Sequence, residues 1–192
     1  MPAYIFTGRF QPIHKGHIRF LEAAKKKHPE DLLIICVIRN STGNEKAVTE
    51  SVFHMESKTK QVSANNPMPN WNRYWLLSLA VNASDILRDN TVIIFRDRSD
   101  LNFQKSVSDL PEDRVWIFPS YAKESFDEAK IQYYQEQNEV VELIDFYDNS
   151  VMYSGGAIRN MLNAHYGDMD LSFLPDSCRE YFQEECLKYF ME

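Results

Sequence analysis

Short β-rich apolar runs alternate with helical patterns along most of the chain, and this alternation constrains the fold more than any other feature. Ala3 to Thr7 is a short apolar run ending at Gly8. After Pro12 a helical pattern begins in which Ile13, His17, Phe20, Leu21 and Ala24 share a face. Lys25, Lys26 and Lys27 suit the negative end of that helix, and Pro29 stops it. Leu32 to Arg39 is a nearly continuous β-rich apolar run, as expected of a central parallel strand covered on both faces. Further on, the pattern predicts a helix over Trp71 to Ala83, strands over Thr91 to Arg96 and Arg114 to Phe118, and a helix from about Ser120 to Gln137. A fifth strand over Val140 to Phe146, a Ser-Gly-Gly turn, a short helix around Ala157 to Ala164 and a terminal helix from about Asp176 complete the order. Such alternation gives an α/β fold, a doubly wound parallel sheet of five or so strands with helices on both faces. Ligands then sit outside the carboxyl ends of the strands, where the loops after the first and last strands are expected to meet.

A chain of 192 residues fits a single domain with a genuine core, the expectation here for residues 1–192. Residues 40 to 70 are polar, weakly patterned and end in Asn65-Asn66-Pro67-Met68-Pro69, which predicts a long functional loop. The longest aliphatic run, Leu32 to Ile38, is far short of the roughly 20 residues of a membrane span, and a cytoplasmic protein is expected. Cys36, Cys178 and Cys186 lack the close pairing of a zinc or redox motif and read as buried thiols. A formal charge of −7 argues against general affinity for nucleic acid. The charge is uneven, because residues 1 to 30 carry six basic side chains against two acidic ones, a local +4 that would draw a small polyanion.

Two motifs occupy the loops that the topology singles out. The first, Gly8-Arg9-Phe10-Gln11-Pro12-Ile13-His14-Lys15-Gly16-His17, runs from the first strand into the opening turn of the first helix. Here Gly8 is expected to take a backbone conformation that other residues avoid, and the N–H groups of the helix start to favour an anion. His14 and His17, three apart, are expected on one face of that turn, with Gly16 leaving room for phosphate oxygens. The pair also reads as ordinary core or surface histidines, or as half of a metal site, for which neither Glu22 nor His28 is placed as a third ligand. The second motif, Tyr153-Ser154-Gly155-Gly156-Ala157-Ile158-Arg159, opens a later helix. Ser154 is an N-cap candidate, and Arg159 is either a phosphate-holding fork or a solvated surface arginine.

GRFQPIHKGH resembles the first signature of the HxGH nucleotidylyltransferases, in detail that of the archaeal-type nicotinamide mononucleotide (NMN) adenylyltransferases, and YSGGAIRNML resembles their second, ISxTxIR. The likeness extends to the loop with Asn66-Pro67, the helix bearing Arg73 and a Gly-Asp-x₆-Pro stretch from Gly167 to Pro175. Gly156 and Tyr153 depart from the usual threonine and isoleucine, and 120–138 lacks the Gly-Asn-Pro turn of the adenylyltransferase relatives. The resemblance implies direct in-line attack by an acceptor phosphate on the α-phosphorus of a nucleoside triphosphate, with His14, His17 and Arg159 catalytic. It implies that Thr7, Gly8, Arg9, Phe10, Gln11, Lys15 and Gly16, with Tyr153, Ser154, Gly155 and Gly156, hold the nucleotide and its phosphates. Arg39, Asn66, Trp71, Arg73 and Trp75 are acceptor candidates, although Trp71, Tyr74 and Trp75 at helical spacing read first as core. Magnesium would arrive with the triphosphate, and no protein metal site is expected. The partners implied are ATP and a phosphorylated small-molecule acceptor, without nucleic acid or membrane, and a homo-oligomer is an expectation carried by the family alone. A cytidylyltransferase, another adenylyltransferase and a catalytically silent nucleotide sensor stay open beside the NAD-forming reading.

Overall fold

In the computed structural model five parallel strands form one sheet, β1 (Ala3–Gly8), β2 (Leu32–Arg39), β3 (Thr91–Asp97), β4 (Arg114–Pro119) and β5 (Val140–Ile144), in the order β3-β2-β1-β4-β5. The structure describes residues 1–39, 67–97, 103–120, 127–146, 155–164 and 169–190. The chain therefore winds outward from β1 to β3, returns beside β1, and winds outward again to β5. This is the doubly wound arrangement expected, and its strand order reverses between β1 and β4.

Burial on both faces explains why β2 is apolar from Leu32 to Ile38. Leu33, Ile35 and Val37 join the core on one face, with α1 (Lys15–Lys27), α2 (Asn70–Ala83), α5 (Gly155–Ala164) and the C-terminal segment. Ile34 and Cys36 face the other way, with Ala3, Ile5, Trp116 and Phe118, beneath α3 (Phe103–Ser106) and α4 (Asp127–Glu136). A strand buried on both faces has no polar alternation to show. Cys36, Cys178 and Cys186 are buried free thiols, as their spacing implied.

Hydrogen-bonded charges pin the sheet at the end remote from the two motifs. Arg114 donates to Glu139 through Nε (2.7 Å) and Nη2 (2.5 Å), and Trp116 Nε1 donates to the same carboxylate at 2.7 Å. At the close of α1, Lys27 and His28 both reach Glu142 of β5, at 2.6 and 3.1 Å, while the His28 ring stacks on Tyr4.

Several expectations need adjustment. The helix expected from Ser120 is described from Asp127, since 121–126 lie outside the described residues, as do 40–66 of the expected loop. The terminal helix is a composite: a 3₁₀ turn at Asp176–Cys178, an α turn at Arg179–Tyr181, a wider π turn at Phe182–Cys186 and a 3₁₀ turn at Leu187–Phe190. Its buried residues, Cys178, Phe182, Cys186 and Phe190, recur every four, and packing on α2 and α5 overrides regular helical geometry.

Candidate active site

The strand that opens the chain delivers a tightly packed loop. Gly8 is still in β1, and its residue type answers to space: a Cβ there would meet the Phe10 ring at 2.8 Å. The left-handed backbone expected at Gly8 belongs instead to Phe10, with φ 50°. That conformation costs a side-chain-bearing residue about 1–2 kcal/mol, which burial of a phenyl ring, worth about 1.5–3 kcal/mol, offsets. Phe10 is 1% exposed and meets the His17 ring edge-on at 5.0 Å.

Helix α1 starts one residue later than the motif spacing implies, so His14 is its N-cap rather than part of its first turn. The two histidines nevertheless meet, their rings stacked at 3.6 Å. His17 Nδ1 accepts the backbone N–H of His14 at 3.2 Å, so the neutral His17 ring carries its proton on Nε2. Burial holds His14 down to about 4, and burial followed by the His14 charge holds His17 well below the usual imidazole value. Both rings are neutral donors at neutral pH. Gly16 makes the stack feasible, since a Cβ there would stand 3.0 Å from His14 Nδ1. One helix-start amide is already used, because Lys15 N–H donates to the Phe173 carbonyl at 2.8 Å. Lys15 Nζ lies 3.6 Å from Asp176.

Because the unfolded chain binds a proton near pH 6.5 and folded His14 only near 4, folding stability falls as pH drops through that interval. The slope is at most about 1.4 kcal/mol per pH unit for this residue, and His17 acts in the same direction. Urea unfolding between pH 7.5 and 5 should show the decline, and His14→Gln should flatten it. An unchanged slope in the variant would show that His14 is not held neutral.

Arginines close on the loop from two sides. Arg159, on α5, is 8% exposed, which removes the solvated-arginine reading, and its Nη1 donates to the Gln11 carbonyl at 2.8 Å. A Cβ at Gly155 would stand 3.2 Å from that Nη1 and 3.7 Å from the Gln11 carbonyl, so the opening of α5 lies against the first motif, as expected from topology. Gly156 follows in the same turn, while Tyr153 and Ser154 fall outside the described residues. Opposite, Arg73 is 1% exposed and donates through Nη1 to the carbonyls of Arg9 (2.7 Å) and Ile38 (2.8 Å), and through Nη2 to Asn70 Oδ1. Burial first, then the Arg9 charge, lowers both guanidinium pKa values, Arg73 to about 10. Gln11 is an internal bracket, its amide exchanging two hydrogen bonds with the Met68 backbone at 3.1 and 3.0 Å.

The structure thus brings together residues 8–17, Arg73, Gly155 and Arg159, with Thr7 at the end of β1 beside Cys36. It does not bring Trp71 and Trp75 there. At 100° per residue they stand on the side of α2 away from Arg73, and they are 58% and 40% exposed. The core reading of these tryptophans is therefore corrected: each stacks on the outer surface, Trp71 on Tyr74 and on Trp75. Arg39 ends β2, and Asn66 lies outside the described residues. Sequence reasoning missed Asn70, Met68 and Phe173, which act through a neighbour or through backbone carbonyls and carry no side-chain signature. Among the described residues no group of three or more His, Cys, Asp or Glu is placed to hold a metal ion, and no helix is long and apolar enough to cross a membrane.

A doubly wound sheet thus carries a histidine pair and two buried arginines at the end of its first strand. The chain belongs to the cytidylyltransferase-like family, whose model matches residues 5–161. Two solved structures from Francisella tularensis are similar in fold. One is a bifunctional NMN adenylyltransferase/ADP-ribose pyrophosphatase complexed with AMP and a manganese ion, at 17% identity and a TM-score of 0.57 over 98% of this chain and 51% of that one. The other is the same bifunctional protein in a structure at 18% identity and a TM-score of 0.55, covering 97% and 51%. The chain spans about half the length of these structural neighbours. No curated protein sequence matches it significantly.

Proposed function

We propose that this chain is an NMN adenylyltransferase, which joins the adenylyl group of ATP to NMN and releases pyrophosphate. The observation that carries the proposal is Arg159 Nη1 on the Gln11 carbonyl, which sets the second motif against the first across 148 residues and supports reading the two distant sequences as one phosphate site. An oxygen of the acceptor phosphate attacks the α-phosphorus, the bond from that phosphorus to the β-phosphate bridging oxygen breaks, and pyrophosphate leaves with the electron pair. No group on the protein forms a covalent bond. The protein supplies orientation and donors aimed at the growing charge. His17 Nε2–H and the His14 ring are the neutral donors for the α-phosphate, and Arg9 and Arg159 hold the outgoing pyrophosphate. Magnesium, carried in on the triphosphate oxygens, would neutralise part of their charge.

The branch within the family is chosen on the first motif, whose ten-residue string stands nearest the mononucleotide adenylyltransferases, and both structural neighbours are named for that activity. A cytidylyltransferase with a small phosphorylated alcohol as acceptor is the second reading, favoured by the description of the matching family. The deciding experiment pairs ATP or CTP with NMN, its nicotinic acid analogue, or phosphorylated alcohols, and follows pyrophosphate and product. NAD from ATP and NMN is the expected result. Reaction of CTP with an alcohol phosphate, and of neither mononucleotide, would transfer the assignment to the second reading. Nucleotide binding with no acceptor turned over would leave a silent sensor.

A further inference from the structure

We infer that Arg73 is a positioning residue of the phosphate site: it joins the ends of β1 and β2 beyond their last backbone pair and so sets the segment that presents Arg9. The inference rests on the reading of residues 8–17 as a polyphosphate site. The β1–β2 ladder runs from Ala3↔Leu32 to Gly8↔Val37. The next two residues along, Arg9 and Ile38, are those whose carbonyls share Arg73 Nη1, at 2.7 and 2.8 Å. The guanidinium extends the tie between the strands by one residue, at the point where the chain leaves the sheet.

Fold stability alone gives little reason for an arginine here. The side chain is 1% exposed, its Nε meets no acceptor, and no carboxylate among the described residues pairs with it. An apolar side chain of similar volume is often as stabilising as such a buried ion, and sometimes more so. The guanidinium does something an apolar side chain cannot. It fixes the plane of the peptide that follows Arg9, and the chain then turns at Phe10 with φ 50°. Arg159 grips the next carbonyl but one, that of Gln11, from the α5 side. The 9–11 segment is held between two buried cations, and Asn70 Oδ1 anchors Arg73 from its own helix.

The test measures binding of inorganic tripolyphosphate by calorimetry, independently of any acceptor. Arg73→Met removes the donors at nearly constant volume and should weaken binding about tenfold or more while the protein stays folded. Arg73→Lys, which keeps the charge and loses the planar fork, should recover only part of the loss. In an Arg9→Ala background the Arg73→Met loss should shrink severalfold, because the brace acts through the segment bearing Arg9. Wild-type affinity in Arg73→Met, full recovery in Arg73→Lys, or strict additivity with Arg9→Ala would each overturn the inference while leaving the site reading intact. Should Arg73→Met fail to fold, Asn70→Ala removes only the outer anchor. A loss of about twofold or more that vanishes in the Arg9→Ala background then supports the brace, and unchanged affinity overturns it. Wild-type protein that binds no tripolyphosphate overturns the phosphate-site reading and the inference together.

Discussion

His17→Ala is expected to lower turnover by about 10²- to 10³-fold and to move the Michaelis constant for the triphosphate far less. The reason lies in which nitrogen carries the proton. With Nδ1 accepting the His14 amide, the neutral ring is held with its proton on Nε2. A donor held in place costs no reorganisation when charge accumulates on the α-phosphate oxygens, so its loss appears in the chemical step. His14→Ala should fall between a turnover and a binding defect, since His14 is both N-cap and stacking partner. Steady-state pyrophosphate release, with folding verified by circular dichroism, measures both. Near wild-type turnover in folded His17→Ala would remove the histidine from the reaction.

Arg159→Ala is expected to weaken ATP binding by about 10²-fold, the usual scale for truncating a buried, hydrogen-bonded charge. Part of this loss is electrostatic and part is geometric, because Nη1 also holds the Gln11 carbonyl at 2.8 Å. Arg159→Lys keeps the charge without the paired geometry and should restore only a fraction. Titration calorimetry with ATP decides it, and the defect should recur for pyrophosphate in the reverse direction. Equal ATP affinity in wild type and Arg159→Ala would confine this arginine to bracing the loop.

The parts of the fold that follow from residue pattern were legible in sequence. The unbroken apolar run of β2 announced a strand covered on both faces, and HxxH spacing after a first strand announced paired histidines. What was hidden depends on backbone atoms. Arg73 stood among the acceptor candidates through the family resemblance, and nothing in the letters shows the two carbonyls that its guanidinium meets. Gly8 read as a conformational glycine, and only the position of the Phe10 ring shows that the constraint is one of room. Trp71 and Trp75 illustrate the reverse error: helical spacing marks a shared face without saying whether that face looks inward.

Phe173 gives the arrangement an unexpected geography. The family match stops at residue 161, yet the first amide of the histidine-bearing helix is satisfied by a carbonyl twelve residues beyond that limit. The residue serves two masters: its backbone oxygen tethers Lys15, while its ring, 2% exposed, lies edge-on to Phe182 in the core. The tether accepts any residue type in principle, but its location is dictated by the ring. Repacking around Phe182 or Phe190, far along the chain, would therefore be felt as a displaced anchor at the start of α1. A shift of the 173–190 segment is transmitted to the first motif through the Phe173 oxygen, beside the Lys15–Asp176 ion pair.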